Sequence, residues 1–341
     1  MKKNTMKKLL AVGCAGAMSL SLAACGNGNT NTPSSSGEGG DGVKIGILQY
    51  AQHPSLDNCY DGVLQGLEEA GYVDGENGVS IEFQNANGST SDADMMAKTM
   101  VSSGCDMIIA IATPAAMSAY SAAKDENVPV IYCAVSDPVG SGLAQDLENP
   151  QTGASGTMDS LNLEGQMQMI RAMLPEADTI GILYTTSEPN SVAHLQTFQE
   201  LAPEYGFTIE AVGITNESEV ASGAAALVAR GVDCVNNFTG NNVVNNLSTL
   251  LHATDEAGIP VFGSEEEQVR NGCVASESID YVALGAETGQ MAASVLSGEA
   301  DIMTLPVSVV TESSPVYSAA NLEKFGMTLP ADYSDAVNLD E

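Results

Sequence analysis

The sequence contains no tryptophan, three histidines, and only 11 lysines and arginines against 44 acidic residues. A net charge of −33 repels phosphate backbones, so nucleic acid is excluded as a partner. His53, His194 and His252 lie far apart and show no metal-ligand spacing, so neither a metal nor another cofactor is expected. Also missing are the Gly-x-Ser-x-Gly elbow, the Gly-x-x-x-x-Gly-Lys phosphate loop and the His-Glu-x-x-His pair, which leaves no motif for an enzyme. The missing tryptophan weighs mildly against a sugar ligand, because sugar sites often stack on that ring. Beyond the first 24 residues no run of about 18 apolar residues occurs, so no membrane-spanning helix is expected. Of the seven cysteines, Cys59, Cys105, Cys133, Cys234 and Cys273 fall in the body of the chain; an odd number without close spacing is not a disulfide framework. Four of them sit in or beside apolar runs, where cysteine behaves as a small buried hydrophobe.

What is present starts with a leader. Lys2, Lys3, Lys7 and Lys8 form a positive region, followed by an apolar run from 9 to 22 and then Leu22-Ala23-Ala24-Cys25-Gly26. The run is too short to cross a bilayer and has the flanks of a signal peptide. Small residues just before a cysteine resemble a lipobox, so residues 1–24 are expected to be removed and Cys25 to carry the lipid. Its loss of four lysines makes the mature chain still more acidic. Residues 25–42 are rich in Gly, Ser, Asn and Thr without apolar periodicity and read as a flexible tether. The expected location is extracytoplasmic, on the outer face of the cell membrane, with the lipid as the only membrane attachment.

From residue 43 short β-rich runs alternate with helical stretches, which is the pattern of a parallel α/β sheet. Strands are expected at 43–50, 79–84, 107–112, 128–135 and 153–158, with helices at 56–70, 92–103 and 115–127 between them. A second series follows: helix 163–174, strand 179–184, helix 191–205, strand 208–212, helix 217–229, strand 234–236, helix 242–257 and strand 260–262. Lys44-Ile45-Gly46-Ile47-Leu48 and Thr179-Ile180-Gly181-Ile182-Leu183 open the two series almost identically. Val128-Pro129-Val130 and Ile259-Pro260-Val261 then mark corresponding strands. The reading is an α/β protein of two doubly wound parallel-sheet lobes that face each other, a single long sheet being the alternative. Helix 282–296 and strand 305–310 have no place in the second lobe, so the chain is expected to cross back. The lobes are then 43–158 with 281–312, and 159–280 with 313–341, joined by a multi-crossover hinge. Ligands of open parallel sheets bind beyond the carboxyl ends of the strands, so the two lobes pool their strand-end loops in one cleft.

Those loops are polar. The first lobe contributes Gln49-Tyr50-Ala51-Gln52-His53, Thr113-Pro114-Ala115-Ala116 and Ser136-Asp137-Pro138. The second contributes Thr185-Thr186-Ser187-Glu188-Pro189-Asn190-Ser191, Thr239-Gly240-Asn241-Asn242, Gly263-Ser264-Glu265-Glu266 and Ser278-Ile279-Asp280-Tyr281. Thr113 is expected to cap a helix whose free amides offer an anion site. His53, before Pro54, reads more readily as a plain loop residue than as a ligand contact.

Ile111-Ala112-Thr113-Pro114-Ala115-Ala116, Ser136-Asp137-Pro138-Val139, Gly181-Ile182-Leu183-Tyr184, Ser187-Glu188-Pro189-Asn190-Ser191, Pro260-Val261-Phe262-Gly263-Ser264-Glu265 and Ile279-Asp280-Tyr281 occur together and in order. Over residues 43–311 they resemble the substrate-binding lipoproteins of ABC transporters assigned to tryptophan/tyrosine-type uptake. The chain departs from that pattern at Thr239-Gly240-Asn241-Asn242, where the resemblance leads one to expect an acidic residue. It implies a type I periplasmic-binding-protein-like fold, an aromatic or other hydrophobic amino acid as small-molecule ligand, and ABC permease and ATPase subunits as partners of a monomer. Thr113, Ala115, Ser187 and Asn190 at the helix starts then suit the ligand carboxylate, with Gln49 beside them. Asp137, Glu188 or Asp280 suits the ammonium, and Tyr50, Tyr184 or Tyr281 the side chain. Each has a duller role open to it, as a helix cap, a turn residue or a core contact. The alternatives in function are a sugar or nucleoside binder and a ligand-presenting subunit of a membrane sensor.

Overall fold

Lys44–Gln49 (β1) alternates nothing: five of its six residues are buried, as in a parallel strand covered on both faces. The computed structural model describes residues 42–340. The leader, Cys25 and the tether through residue 41 lie outside the described residues. After β1 come Pro54–Glu69 (α1), Ser80–Asn85 (β2), Thr90–Ser102 (α2), Met107–Ile111 (β3), Thr113–Ala123 (α3), Val130–Cys133 (β4) and Ala154–Asp159 (β5). Pro54 opens α1 at its first turn, where its missing N–H costs nothing, and Leu56, Cys59, Val63 and Leu67 form the buried stripe behind it.

The second lobe runs through Leu163–Met173 (α4), Thr179–Thr185 (β6), Pro189–Leu201 (α5), Thr208–Ile214 (β7), Val220–Arg230 (α6), Cys234–Asn236 (β8), Asn241–Asn245 (α7), Leu247–Ala257 (α8), Val261–Phe262 (β9), Glu266–Arg270 (α9) and Ala275–Ser278 (β10). The chain then returns as Tyr281–Leu296 (α10) and Ser308–Val310 (β11), and ends with Ser314–Tyr317 (β12), Ala319–Lys324 (α11) and Val337–Asn338 (β13). The first sheet is wholly parallel in the order β11-β5-β4-β3-β1-β2, so the returning strand completes its edge. The second sheet, β7-β6-β8-β9, is parallel as well. Each sheet has its own buried core, Ile45, Ile108, Ile109 and Tyr132 in the first lobe and Ile180, Phe198, Phe238 and Phe262 in the second.

Three crossovers join the lobes: after β5, after β10 and after β11. They are laced together. Asn162 Nδ2 donates to Ser313 Oγ (3.0 Å), Ser313 Oγ donates to Glu277 Oε2 (2.7 Å), and the Ser160 N–H donates to the Val310 carbonyl (3.1 Å). These short segments between elements, tied to one another, form the hinge between the lobes.

Three of the differences from the sequence expectation bear on the architecture. The strand expected at 128–135 stops at Cys133, because Ala134 turns to φ +56° and leaves the ladder. The helix expected at 242–257 is two helices, broken at Asn246 (φ −115°, ψ 26°), whose side-chain amide bonds the Asn242 carbonyl in place of continuing the turn. A third small sheet, β10-β12-β13, was not expected at all. It extends the second lobe beside β9 through bonds from the Val274 N–H to Val261 O and from the Gly263 N–H to Ala275 O. The five described body cysteines are free and buried.

Candidate functional site

The carboxyl ends of the parallel strands converge on a cavity between the lobes. From the first lobe it is lined by His53, Ser55 and Leu56 after β1, Ala112 after β3, Ala134 and Ser136 after β4, and Asp159 at the end of β5. The second lobe supplies Asn190 at the start of α5, Thr239, Asn241 and Val244 after β8, and Glu265 after β9; Tyr281 enters from the hinge. The cavity is narrow, about 20 Å³, far below the roughly 300–1,000 Å³ of small-molecule sites. Entry of a molecule of amino-acid size therefore requires the lobes to part.

Backbone strain marks the first-lobe wall. Ala112 has φ +79° and ψ 151°, a region almost reserved for glycine, and Ala134 has φ +56°. Such conformations cost about 1–3 kcal/mol each and cluster where a ligand must be approached closely. Both follow directly on a strand, so each turns the chain sharply at the cavity.

The cavity is acidic and contains no lysine or arginine. Asp159 Oδ1 accepts the Ser136 hydroxyl (3.0 Å) and Oδ2 accepts the Tyr281 hydroxyl (3.1 Å). Burial nevertheless pushes its carboxyl up to about 6. Glu265, 1% exposed, accepts the Glu267 N–H (3.1 Å), while its Oε1 is buried with no partner. Burial raises this group to about 7. A third carboxylate, Glu188, is raised by burial and held by donors: the Asn241 N–H (2.8 Å) and Nδ2 (2.7 Å) on Oε2, and the Asn242 N–H (3.1 Å) on Oε1. Burial has the opposite effect on His53 and His194, whose imidazoles are lowered to about 4 and are neutral. Two polar contacts cross between the lobes beside the cavity, His53 Nε2 to Asn241 Oδ1 (3.3 Å) and Asn58 Nδ2 to Glu267 Oε1 (3.2 Å).

Of the nine ligand-binding candidates read from the sequence, Asn190 lines this cavity, with its Oδ1 unpartnered and its Nδ2 on the Thr239 carbonyl (3.3 Å). The others stand around it. Thr113 begins α3 with its hydroxyl buried and unpartnered; the capping position itself is Ala112, one residue earlier than expected. Ala115 is fully buried in the first-lobe core. Gln49 is buried and shapes the loop after β1 through Ala51 O and Asp57 Oδ1 (both 2.8 Å). The Tyr50 hydroxyl donates to Gly88 O (2.8 Å), away from the cavity. Asp137 closes a turn by accepting the Gly140 N–H (2.8 Å), and Tyr184 packs half-buried against the second-lobe core. Ser187 is exposed, its hydroxyl on Thr215 O. Asp280, also exposed, caps α10 through the N–H groups of Val282 and Ala283.

Sequence reasoning missed Asp159, Glu265 and Ser136, and treated His53 as a loop residue. Glu265 was placed in the cleft with its loop, Gly263-Ser264-Glu265-Glu266, but was not singled out as a ligand contact. Asp159 ends a strand at a lobe crossing, which was an available signal.

Residues 44–336 match the family model described as ABC transporter substrate binding protein. A tyrosine-binding protein of Clostridioides difficile (strain R20291) is 35% identical over 298 residues, 87% of this chain and 85% of that one. Among solved structures, the ABC domain in complex with L-Trp from Streptococcus pneumonia is 34% identical, with TM-score 0.83 over 87% of this chain and 98% of that one. The ligand-free, open structure of a substrate binding protein with adhesive properties from Clostridium difficile is 35% identical, with TM-score 0.66 over 87% and 99%. At nearly equal identity the likeness is greater to the structure in complex with L-Trp than to the ligand-free, open one. The architecture is the two-lobed one of type I periplasmic binding proteins. The chain belongs to the ABC transporter substrate-binding protein family.

Proposed function

We propose that this chain captures an amino acid with an aromatic side chain and delivers it to an ABC permease, as a monomer anchored outside the cell membrane through a lipid on Cys25. No described helix is long and apolar enough to cross a membrane. The lobes that close on the ligand are residues 43–158 with 281–312 and residues 159–280 with 313–341, the division expected from the sequence. The observation that carries the cargo is the pair of buried carboxyls, Asp159 and Glu265, in a cavity without a protein cation. Buried acids call for a cation, and a ligand ammonium supplies it. The ligand carboxylate takes the first turn of α3, where the Thr113 hydroxyl has no partner. Tyrosine and tryptophan in the names of the two relatives support an aromatic side chain.

Titration calorimetry against the twenty amino acids, several sugars and several nucleosides tests this, after refolding to strip carried-over ligand. Tight 1:1 binding of Tyr, Trp or Phe is expected; binding confined to a sugar or nucleoside refutes the cargo.

The same site makes binding proton-linked. Carboxyls raised to about 6 and about 7 are partly protonated near neutral pH, and an arriving ammonium drives them to ionise. Binding therefore releases protons, so affinity rises as pH increases from about 5 to 8. Heats measured in buffers of different ionisation enthalpy read the number released, and a flat affinity across that range contradicts an ammonium at these acids.

A further inference from the structure

Glu188 lies outside the cavity lining, yet it is 1% exposed and makes three hydrogen bonds to the segment that begins α7. Its Oε2 accepts from both the N–H and the Nδ2 of Asn241. A carboxylate only accepts, so the Asn241 amide is fixed with its nitrogen toward Glu188 and its oxygen toward the other lobe. That oxygen meets His53 Nε2 at 3.3 Å. An amide oxygen only accepts as well, so Nε2 carries the imidazole proton. In a neutral ring the other nitrogen is then bare. His53 Nδ1 is buried, has no partner in the protein, and belongs to a side chain lining the cavity.

We infer that His53 contacts the ligand, its bare Nδ1 accepting a hydrogen bond from a ligand N–H or O–H, and that Glu188 is the positioning residue that sets this through Asn241. The chain of contacts runs from the second lobe (Glu188, Asn241) to the first (His53), so it is complete only when the lobes are closed. An imidazole presented this way selects ligands carrying a donor at that place and disfavours analogues without one, because a buried acceptor is then left unpaired. The inference rests on the amino-acid reading above.

The test is nitrogen NMR of the protein labelled with ¹⁵N-histidine, titrated with L-tyrosine and followed in parallel by calorimetry. His53 is identified by loss of its signal in His53→Gln, and His194 serves as the internal control. In the saturated protein His53 is expected as the Nε2–H tautomer, with the Nδ1 resonance displaced from the value of an unbonded ring nitrogen. Glu188→Leu removes the acceptor that orients the Asn241 amide, so the His53 proton is no longer held on Nε2 and the tautomer shifts toward Nδ1–H. L-tyrosine affinity then falls on the order of tenfold to a hundredfold. Glu188→Gln, whose amide oxygen can accept both Asn241 bonds as Oε2 does, is expected to keep the tautomer and most of the affinity, which separates the missing acceptor in Glu188→Leu from a change of volume at 188. Measurable heat with an Nδ1–H ring, or with an Nδ1 signal indifferent to ligand, overturns the His53 contact. Absence of heat with every aromatic amino acid overturns the cargo reading instead, and this inference with it.

Discussion

Replacing the two cavity acids by their amides, Asp159→Asn and Glu265→Gln, is expected to cripple binding while making the unliganded protein more stable. Either change takes away half of a buried charge pair formed with the ligand ammonium, a loss of about 2–5 kcal/mol. Affinity for an aromatic amino acid should therefore fall roughly thirtyfold to several thousandfold, the pair together more than either alone. Stability moves the other way. Asp159 is raised from 3.8 to about 6, which at pH 8 represents on the order of 3 kcal/mol spent keeping it ionised out of water. The sign follows from linkage: a raised acid binds its proton more tightly when folded, so its destabilising effect grows as pH rises from about 4 through the folded value and is full above it. The Asp159→Asn amide is a neutral isostere and escapes that cost. Its oxygen still accepts the Ser136 hydroxyl, and its nitrogen donates to the Tyr281 hydroxyl oxygen. Urea or thermal unfolding at pH 8 should thus give a higher midpoint for each variant without ligand, and calorimetry a much weaker complex. A variant that binds as before removes these acids from the site; one that loses stability and binding together shows a structural role.

Much of the scaffold was legible because parallel strands buried on both faces announce themselves as continuous apolar runs. Ile45-Gly46-Ile47-Leu48 and Ile180-Gly181-Ile182-Leu183 both form central strands of their sheets, and the return of the chain after Asp280 followed from strand counting. The segments read poorly were short or irregular: β13 has two residues, and the break at Asn246 depends on one side chain competing with its own backbone. The site was legible at the level of loops and much less at the level of side chains. Ser136 lines the cavity while its neighbour Asp137 closes a turn, a difference of one residue set by the twist Ala134 puts into the chain. Asn190 was singled out from its helix start, and it lines the cavity as the second residue of α5. Glu265 and His53 were not, since their importance comes from burial against the opposite lobe, which no local pattern encodes.

The largest stability effect is expected where α1 and α10 touch, at four helical glycines. A Cβ at Gly62 would collide with the Val282 carbonyl, at Gly66 with that of Ala286, at Gly285 with that of Cys59 and at Gly289 with that of Val63. The two backbones are thus in direct contact along two turns, and there is no flexible side chain to give way. In an unobstructed helix Gly→Ala stabilises by about 1 kcal/mol. Here Gly62→Ala or Gly285→Ala should instead cost about 3 kcal/mol through overpacking. Ala283→Gly, on the exposed side of the same helix, is the control and should cost only the propensity difference. If the buried glycines respond to alanine as the propensity scale predicts, with a gain, the close contact is not what holds these helices. The position along α10 adds a functional readout. Tyr281 is its first residue, lines the cavity and donates to Asp159, and Gly285 lies about one turn away. Pushing the helices apart at Gly285 must tilt that hydroxyl off Asp159, whereas Gly289 lies a further turn from the site. Gly285→Ala should therefore weaken ligand binding more than Gly289→Ala does, even where the two destabilise the fold equally.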